Sequence, residues 1–449
     1  MSGKVKEIID EIIEERSKGN PAIREMTKAK LILKGLNPNK FNRYSYDDPK
    51  IIEKLRIIEK ELIGRKVEDE KLNIKSIFSE ENSEEDVVLD IKNKFKNFSA
   101  DLIIFFSSSN FNQGKLSYLM KETFKDSTIV GCSTAGEMVS GQLLNNAVVA
   151  MAINSNVISD MKLEVIKEMD KGLNLEPAFR SFENYFKESL YTMDIAKYVG
   201  LVLIDGINKK QEEVMDLIGN RTNIFFVGGT AADEGKHVET HVCADGKAYT
   251  GATVLLMLKI NDDAEFNIIK TQSVKVLENT LIANKVNEET REVIEFNNMP
   301  AVVAYADAVG ADSIDDVKKY FKTNPVGLIV GDDDIYVRCP EKLNDTRMEF
   351  CCKILNGMEV TLLKTTDIIK DTKRAIENEI SENGKIEGIV NFDCIYRIEK
   401  IKKNGRQKEY GGIFKDIPTI GFSTYGEEFI GHTNQTSTML IFRSKKKDN

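Results

Sequence analysis

The feature that most constrains this chain is a short sequence repeat that occurs three times. Residues 130–141 read VGCSTAGEMVSG and residues 420–431 read IGFSTYGEEFIG, with Gly, Ser, Thr, Gly, Glu and Gly at the same offsets. A weaker copy, VGGTAADE, occupies residues 227–234. Each copy lies between two short apolar runs that have the length of strands. Because recurrence of this kind is typical of a duplicated supersecondary unit, we expect duplicated strand–helix–strand units with related turns.

From Val87 onward, short apolar runs alternate with helical patterns. The runs are rich in β-branched and aromatic residues and lie at 102–106, 199–204, 253–258, 327–330 and 388–392. This alternation predicts an α/β or α+β fold in which mixed sheets are partly covered by helices.

A small helical module is predicted ahead of this body. Apolar residues recur at helical spacing over residues 5–13, a second helix begins at Pro21, and a third follows Pro49. The segment 79–86, SEENSEED, is acidic and has no apolar residue, which is typical of a linker. We therefore assign residues 1–80 to the helical module.

Composition excludes several classes of partner. The 449 residues carry a formal net charge of −9, which argues against broad binding to nucleic acids or anionic membranes. No apolar run reaches the roughly 18 residues of a spanning helix, and the N-terminus shows no apolar signal segment. We expect a cytoplasmic protein without a membrane span.

The six cysteines and three histidines are scattered, without a CxxC pair or another metal-ligand spacing. The sequence thus predicts no metal and no other cofactor. In a reducing compartment the cysteines are expected to be free thiols.

The repeated turn combines residue types that suit a small zwitterion. Glycines expose backbone amides, Ser and Thr add hydroxyl groups, and a glutamate supplies a carboxylate for an amine. An amino acid fits this set better than a phosphate, which the glutamate would repel. Alternatively the turns are structural, with Glu137 and Glu427 capping backbone amides. The candidate residues of the turns are Cys132, Ser133, Thr134, Glu137, Thr230, Asp233, Ser423, Thr424, Tyr425 and Glu427.

Taken together, these motifs resemble the FIST family, an intracellular sensory domain with N-terminal and C-terminal parts in tandem. VGCSTAGE at 130–137 and FVGGTAAD at 226–233 are similar to motifs of the N-terminal part. The motifs of the C-terminal part are matched by YVRCP at 336–340, DCIYR at 393–397, GFSTYGE at 421–427 and HTNQT at 432–436. Asp393 departs from the family pattern, which usually has Ser there.

The resemblance implies a FIST N-terminal domain over residues 87–290 and a FIST C-terminal domain over residues 291–449. It also implies a sensory module that binds a small ligand, such as an amino acid, and reports to a signalling partner protein.

Five further residues complete the candidate ligand site. Arg338 can pair with a ligand carboxylate or form an inter-domain salt bridge. His432 and Asn434 can line the pocket, although a hydrogen-bonded structural histidine is the commoner case. Arg397 follows Cys394 closely and can lower the pKa of its thiol, whereas a buried, inert thiol is the usual alternative.

These observations favour a ligand-binding sensor over two alternatives. One alternative is an enzyme that uses Cys132 or Cys394 as a nucleophile. No catalytic constellation accompanies these thiols, so we do not expect an enzyme. The other alternative is a scaffold without a ligand, in which the helical module binds the partner.

Overall fold

The computed structural model describes residues 3–42, 44–48, 50–52, 54–55, 58–59, 73–331 and 334–445. The chain divides into two compact units, residues 1–72 and 73–449. The first unit contains helices α1 (Lys4–Ser17) and α2 (Pro21–Leu33) and a 3₁₀ turn at Pro38–Lys40. The apolar stripe of α1 belongs to the core of this unit, so the helical N-terminal segment is confirmed for the described residues. Of the third predicted helix, residues 50–52, 54–55 and 58–59 are described and helical.

The second unit begins earlier than the sequence indicated. Ile74–Ser79 is a strand that pairs with Val148–Ile153, and a helix begins at Glu84. The Ser83 side chain caps this helix, and the carboxylates of the first turn interact favourably with the positive end of the helix dipole. Within the acidic run predicted as a linker, residues 80–83 form a short loop and residues 84–86 begin the helix. The predicted boundary at residue 80 therefore falls inside the second unit, which begins at residue 73.

The body consists of three copies of one unit. The unit has a strand, a helix, a parallel pair of strands joined by a helix, a hairpin and a final strand. The first repeat contains β1 (Ile74–Ser79), α3 (Glu84–Lys94), β2 (Leu102–Ser108), α4 (Gln113–Thr123), β3 (Thr128–Thr134), β4 (Glu137–Val139), β5 (Gln142–Leu144) and β6 (Val148–Ile153). The second contains β7 (Ile158–Ile166), α5 (Glu176–Phe186), β8 (Tyr198–Ile204), α6 (Gln211–Arg221), β9 (Phe226–Thr230), β10 (Val242–Ala244), β11 (Lys247–Tyr249) and β12 (Thr253–Ile260).

The third repeat is interrupted by an inserted domain. It begins with β13 (Ala264–Gln272) and resumes after the insertion. The insertion contains β14 (Val274–Asn287), β15 (Glu292–Phe296), β16 (Met299–Pro300), α7 (Ala301–Val309), a 3₁₀ helix (Ile314–Tyr320), β17 (Val326–Val330), β18 (Asp334–Arg338), β19 (Pro340–Asn344), β20 (Arg347–Phe350) and β21 (Glu359–Thr365). The repeat continues with α8 (Ile368–Asn383), β22 (Gly388–Cys394), α9 (Ile395–Lys403), α10 (Gln407–Gly412), β23 (Thr419–Thr424), β24 (Glu427–Phe429), β25 (Gly431–Thr433) and β26 (Thr436–Ser444).

The three repeats exchange their hairpins in a cycle. The sheets have the orders β1-β6-β2-β3-β10-β11, β7-β12-β8-β9-β24-β25 and β13-β26-β22-β23-β4-β5. Each hairpin therefore extends the sheet of another repeat, and each of these three sheets holds strands from two repeats. The inserted strands form a fourth sheet, β18-β17-β21-β14-β15-β20-β19, with β16 on β15. The predicted domain boundary after residue 290 falls between β14 and β15, which are hydrogen-bonded neighbours in that sheet.

One glycine per repeat is required by the parallel strand pair. A Cβ on Gly131, Gly228 or Gly421 would lie 2.2, 1.7 or 2.5 Å from a carbonyl oxygen of the neighbouring strand. Only glycine permits this approach.

The mixed α/β class predicted from the sequence is confirmed, with helices covering mixed sheets. Among the described helices, none has the length and apolar content that crossing a membrane requires.

Candidate functional site

The three repeated turns meet at the ends of the parallel strands. The first or second residue after each strand donates its backbone N–H to a carbonyl near the strand end of another repeat. These bonds run from Ala135 to Ser423 (3.1 Å), from Ala232 to Ser133 (3.0 Å) and from Tyr425 to Thr230 (3.4 Å). The turns therefore form a closed ring, which accounts for their common spacing.

The two motif glutamates bind backbone groups inside this ring. Glu137 accepts hydrogen bonds from the Thr134 hydroxyl and from the backbone N–H of Ala147 (3.1 Å). Glu427 accepts the backbone N–H and the hydroxyl of Thr436, at 3.1 and 2.8 Å. Burial raises the pKa of Glu137 to about 7 and the pKa of Glu427 well above its ordinary value. Both carboxyl groups tie a turn to the start of the following strand, as in the capping alternative.

A cavity of about 320 Å³, here called the junction cavity, lies where two repeats meet the inserted domain. The carboxyl ends of β8 and β22 border it, which is a common position for ligand sites in α/β sheets. Its lining from the second repeat is Gly206, Ile207, Lys209, Gln211, Gly235 and His237; from the inserted domain Arg291, Glu341, Lys342 and Cys351; and from the third repeat Cys394, Ile395, Tyr396, Glu399, Tyr425, His432 and Asn434.

One wall of the junction cavity is a rigid aromatic pair. The rings of Tyr425 and His237 stack with centroids 4.4 Å apart. The Tyr425 hydroxyl donates to the Asp233 carboxylate and accepts the backbone N–H of Gly235 at 2.9 Å. Asp233 also accepts backbone N–H groups from residues 237–239. Asp233 thereby shapes the loop that carries His237.

A buried guanidinium also lines the junction cavity. Arg291 donates to the Gln211 side chain at 2.8 Å and to the carbonyl of Cys351 at 2.6 Å, and it forms an ion pair with Glu212. These contacts join the second repeat to the inserted domain. The sequence did not predict several lining residues, because no local motif marks them and only the tertiary fold brings them together. They include Arg291, Gln211, Lys209 and Glu341.

Four of the residues predicted for the ligand site line the junction cavity: Cys394, Tyr425, His432 and Asn434. Ser423 borders a second cavity of about 380 Å³, beside Ala135 and Lys402. Arg338 donates to the carbonyls of Lys353 (3.0 Å) and His432 (3.3 Å) and so fixes two backbone segments. Six others have buried side chains within the turns: Cys132, Ser133, Thr134, Thr230, Thr424 and Glu427.

Asp393, which departs from the family pattern, forms a buried ion pair with Arg397. The Arg397 Nε donates to the Asp393 carboxylate at 2.8 Å, and the Tyr410 hydroxyl also donates to it. Arg397 donates further to the Thr372 hydroxyl at 2.9 Å. The guanidinium is thus occupied by internal partners.

All six cysteines are free thiols. Burial raises the pKa of the Cys132 and Cys394 thiols well above the ordinary value. Such an environment disfavours the thiolate that a nucleophile requires.

Comparison with known proteins agrees with this architecture. The FIST N domain matches residues 101–299, and the FIST C domain matches residues 301–429. An uncharacterized protein of Methanocaldococcus jannaschii is 22% identical over 394 residues, which cover 78% of this chain and 75% of the relative. FIST domains are associated with sensory roles in signal transduction. The chain therefore belongs to the FIST family, with its N and C domains in tandem.

Proposed function

We propose that this protein is a cytoplasmic, non-enzymatic sensor that binds a small zwitterion, such as an amino acid, in the junction cavity. One observation carries the proposal: the cavity is lined by the second repeat, the third repeat and the inserted domain together. A ligand there contacts all three parts, so its binding energy can alter their relative positions. The junction cavity has a volume of about 320 Å³, at the lower end of the range of about 300–1,000 Å³ for ligand sites.

The charges around the cavity suit a ligand that carries both signs. Lys342 and Lys209 offer ammonium groups for a carboxylate, and Glu341 and Glu399 offer carboxylates for an amine. Lys342 pairs with Glu341, Lys209 with Glu349 and Glu399 with Lys322, and the ligand would exchange with these partly exposed ion pairs. The stacked pair of Tyr425 and His237 offers an apolar face for a side chain. The sequence suggested that the motif glutamates bind the amine. We now assign this role to carboxylates at the cavity rim, because Glu137 and Glu427 already bind backbone groups.

A thiol-dependent enzyme is the weaker proposal. Its two candidate nucleophiles, Cys132 and Cys394, are 0% and 1% exposed. A binding role needs no reactive thiol, and a sensor can report ligand occupancy to a protein partner through a change at the surface of the inserted domain.

The test is a thermal-unfolding screen against amino acids and common metabolites. A ligand at about 100 times its Kd adds about 2.7 kcal/mol of stability, enough for a shift of several degrees. The hits are then repeated on Glu341→Gln and Lys342→Met, which remove one rim charge each. Glu122→Gln and Lys125→Met are the matched controls, because this exposed pair lies on and just after α4, outside the junction cavity.

We expect the shift to shrink in at least one rim variant and to persist in both controls. A shift that survives both rim substitutions places the ligand elsewhere. No shift with any compound, in protein shown to be folded by circular dichroism, favours the scaffold without a ligand.

A further inference from the structure

Three potential metal ligands converge beside the junction cavity. They are Glu212 on α6, Cys352 just after β20 and His432 on β25, and their donor atoms lie within 4.8 Å of one another. The three residues come from the second repeat, the inserted domain and the third repeat. They are far apart in the sequence, so the search for metal-ligand spacing could not find them.

The histidine is oriented as a metal ligand usually is. His432 Nδ1 lies 2.8 Å from Oε1 of Glu428, which also accepts the Thr230 hydroxyl at 3.0 Å. This contact leaves Nε2 as the ring nitrogen available to the cluster. Ligating histidines almost always donate their other ring N–H to a carboxylate or carbonyl group in this manner.

The other two ligands are held but keep free lone pairs. Glu212 accepts the backbone N–H of Lys353 at 2.8 Å and pairs with Arg291, and each carboxylate oxygen retains a second lone pair. The Cys352 thiol is buried and lies 2.7 Å from Oδ1 of Asn434. Asn434 and His432 both line the junction cavity, so the cluster borders the space where a ligand can enter.

Charged groups of both signs meet in this cluster, since Glu212 pairs with Arg291 and Glu428 pairs with His432. A metal needs the neutral ring of His432 and the thiolate of Cys352, so it competes with protons for both ligands.

We infer that Glu212, Cys352 and His432 form a binding site for a divalent transition ion such as Zn²⁺, with an open coordination position toward the junction cavity. One thiolate, one imidazole and one carboxylate suit this class of ion, and three protein ligands leave the fourth tetrahedral position open. Tetrahedral bonding places the sulfur and nitrogen ligands about 3.5 Å apart, so small side-chain rotations complete the site. This inference is independent of the proposed sensor function.

The test uses Co²⁺ and Zn²⁺ with the full-length protein after dialysis against a chelator. We expect one equivalent of Co²⁺ to bind and to give a thiolate-to-metal charge-transfer band with tetrahedral d–d absorption. Cys352→Ser should abolish the charge-transfer band. Cys243→Ser is the matched control, because this buried thiol lies on β10 in another sheet, and it should retain the band.

Glu428→Gln separates positioning from ligation. This variant should keep the charge-transfer band, because the Glu428 carboxylate orients His432 and is not itself a ligand. Metal affinity should fall about 10–100-fold. No bound metal in folded wild-type protein, or a band that survives Cys352→Ser, would overturn the inference. Circular dichroism of each metal-free variant distinguishes loss of the site from loss of the fold. Since no organic ligand is present in the assay, its outcome does not depend on the zwitterion proposal.

Discussion

The carboxyl group of Glu137 should make the stability of the body depend on pH near neutrality. Glu137 is 2% exposed and receives hydrogen bonds from Thr134 and Ala147. Lys402 and Glu234 are the charged groups that face it. Burial is the largest effect and raises the pKa of Glu137 from 4.5 to about 7, although the hydrogen bonds and Lys402 oppose it.

The sign follows from proton linkage. Between pH 4.5 and 7 the unfolded chain loses this proton while the folded chain keeps it, so the folded state binds more protons. Stability therefore falls as the pH rises through this window and becomes constant above it. A difference of about 2.5 pH units corresponds to about 3 kcal/mol, at 1.36 kcal/mol per unit.

Glu137→Gln is the perturbation that isolates this effect. The amide oxygen of Gln can still accept the Ala147 N–H, and its NH₂ group can donate to the Thr134 hydroxyl oxygen. The Thr134 hydroxyl can then donate to the backbone carbonyl of Ser107, 3.2 Å away. The variant should therefore fold and lack the titration. The assay is urea unfolding followed by circular dichroism at several pH values from 4.5 to 8.

The measured quantity is the free energy of unfolding of wild type minus that of Glu137→Gln. We expect this difference to fall by about 3 kcal/mol from pH 4.5 to pH 8. Glu122→Gln, on the exposed surface of α4, should give a nearly flat difference. A flat difference for Glu137→Gln as well would mean that the folded protein holds an ionised Glu137, and the reasoning from burial would be refuted.

Two further predictions concern packing and charge in the body. Gly228→Ala should destabilise the body by about 3 kcal/mol or more, because its Cβ would lie 1.7 Å from the Val202 carbonyl oxygen. Gly219→Ala on α6 meets no atom within 4 Å and should be neutral or stabilising by up to about 1 kcal/mol in the same urea unfolding assay; equal effects would contradict the close strand approach. Arg397→Leu should lower the free energy of unfolding by about 3–5 kcal/mol, because it leaves the buried Asp393 carboxylate without its ion-pair partner. The double variant with Asp393→Ser should recover most of that loss in thermal unfolding, and no recovery would show that packing of Arg397, rather than charge, dominates.

The repeated turns were predictable because they are local. Six identical offsets in two copies predicted strand–turn–strand units, and the structure places strands on both sides of each turn. The exchange of hairpins was not predictable, because pairing of β4 with β23 depends on contacts between segments far apart in the chain. The inserted domain was also not predicted, because no local motif marks the point after β13 at which the third repeat is interrupted.

The candidate site was predictable only where a motif residue reaches a cavity. Tyr425, His432 and Asn434 do so. For Glu137 and Glu427 the sequence could not decide between an amine ligand and a backbone amide, because a carboxylate accepts hydrogen bonds from either. The hairpin after each turn determines the partner, because it brings the glutamate to a backbone N–H at the start of the next strand. Glu137 binds Ala147, directly before β6, and Glu427 binds Thr436, the first residue of β26.

The inserted domain explains why a body with three equivalent turns has a junction cavity at one position. The insertion lies between β13 and α8 of the third repeat, whereas the described loops 80–83 and 167–175 join the corresponding strand and helix in the first and second repeats. It contributes Arg291 and Cys351 to the cavity and Cys352 to the metal cluster. The third turn contributes Tyr425, and the hairpin that follows it contributes His432. Because this hairpin extends the sheet of the second repeat and Arg338 of the insertion donates to the His432 carbonyl, His432 connects two repeats and the insertion, as the proposed sensor would require.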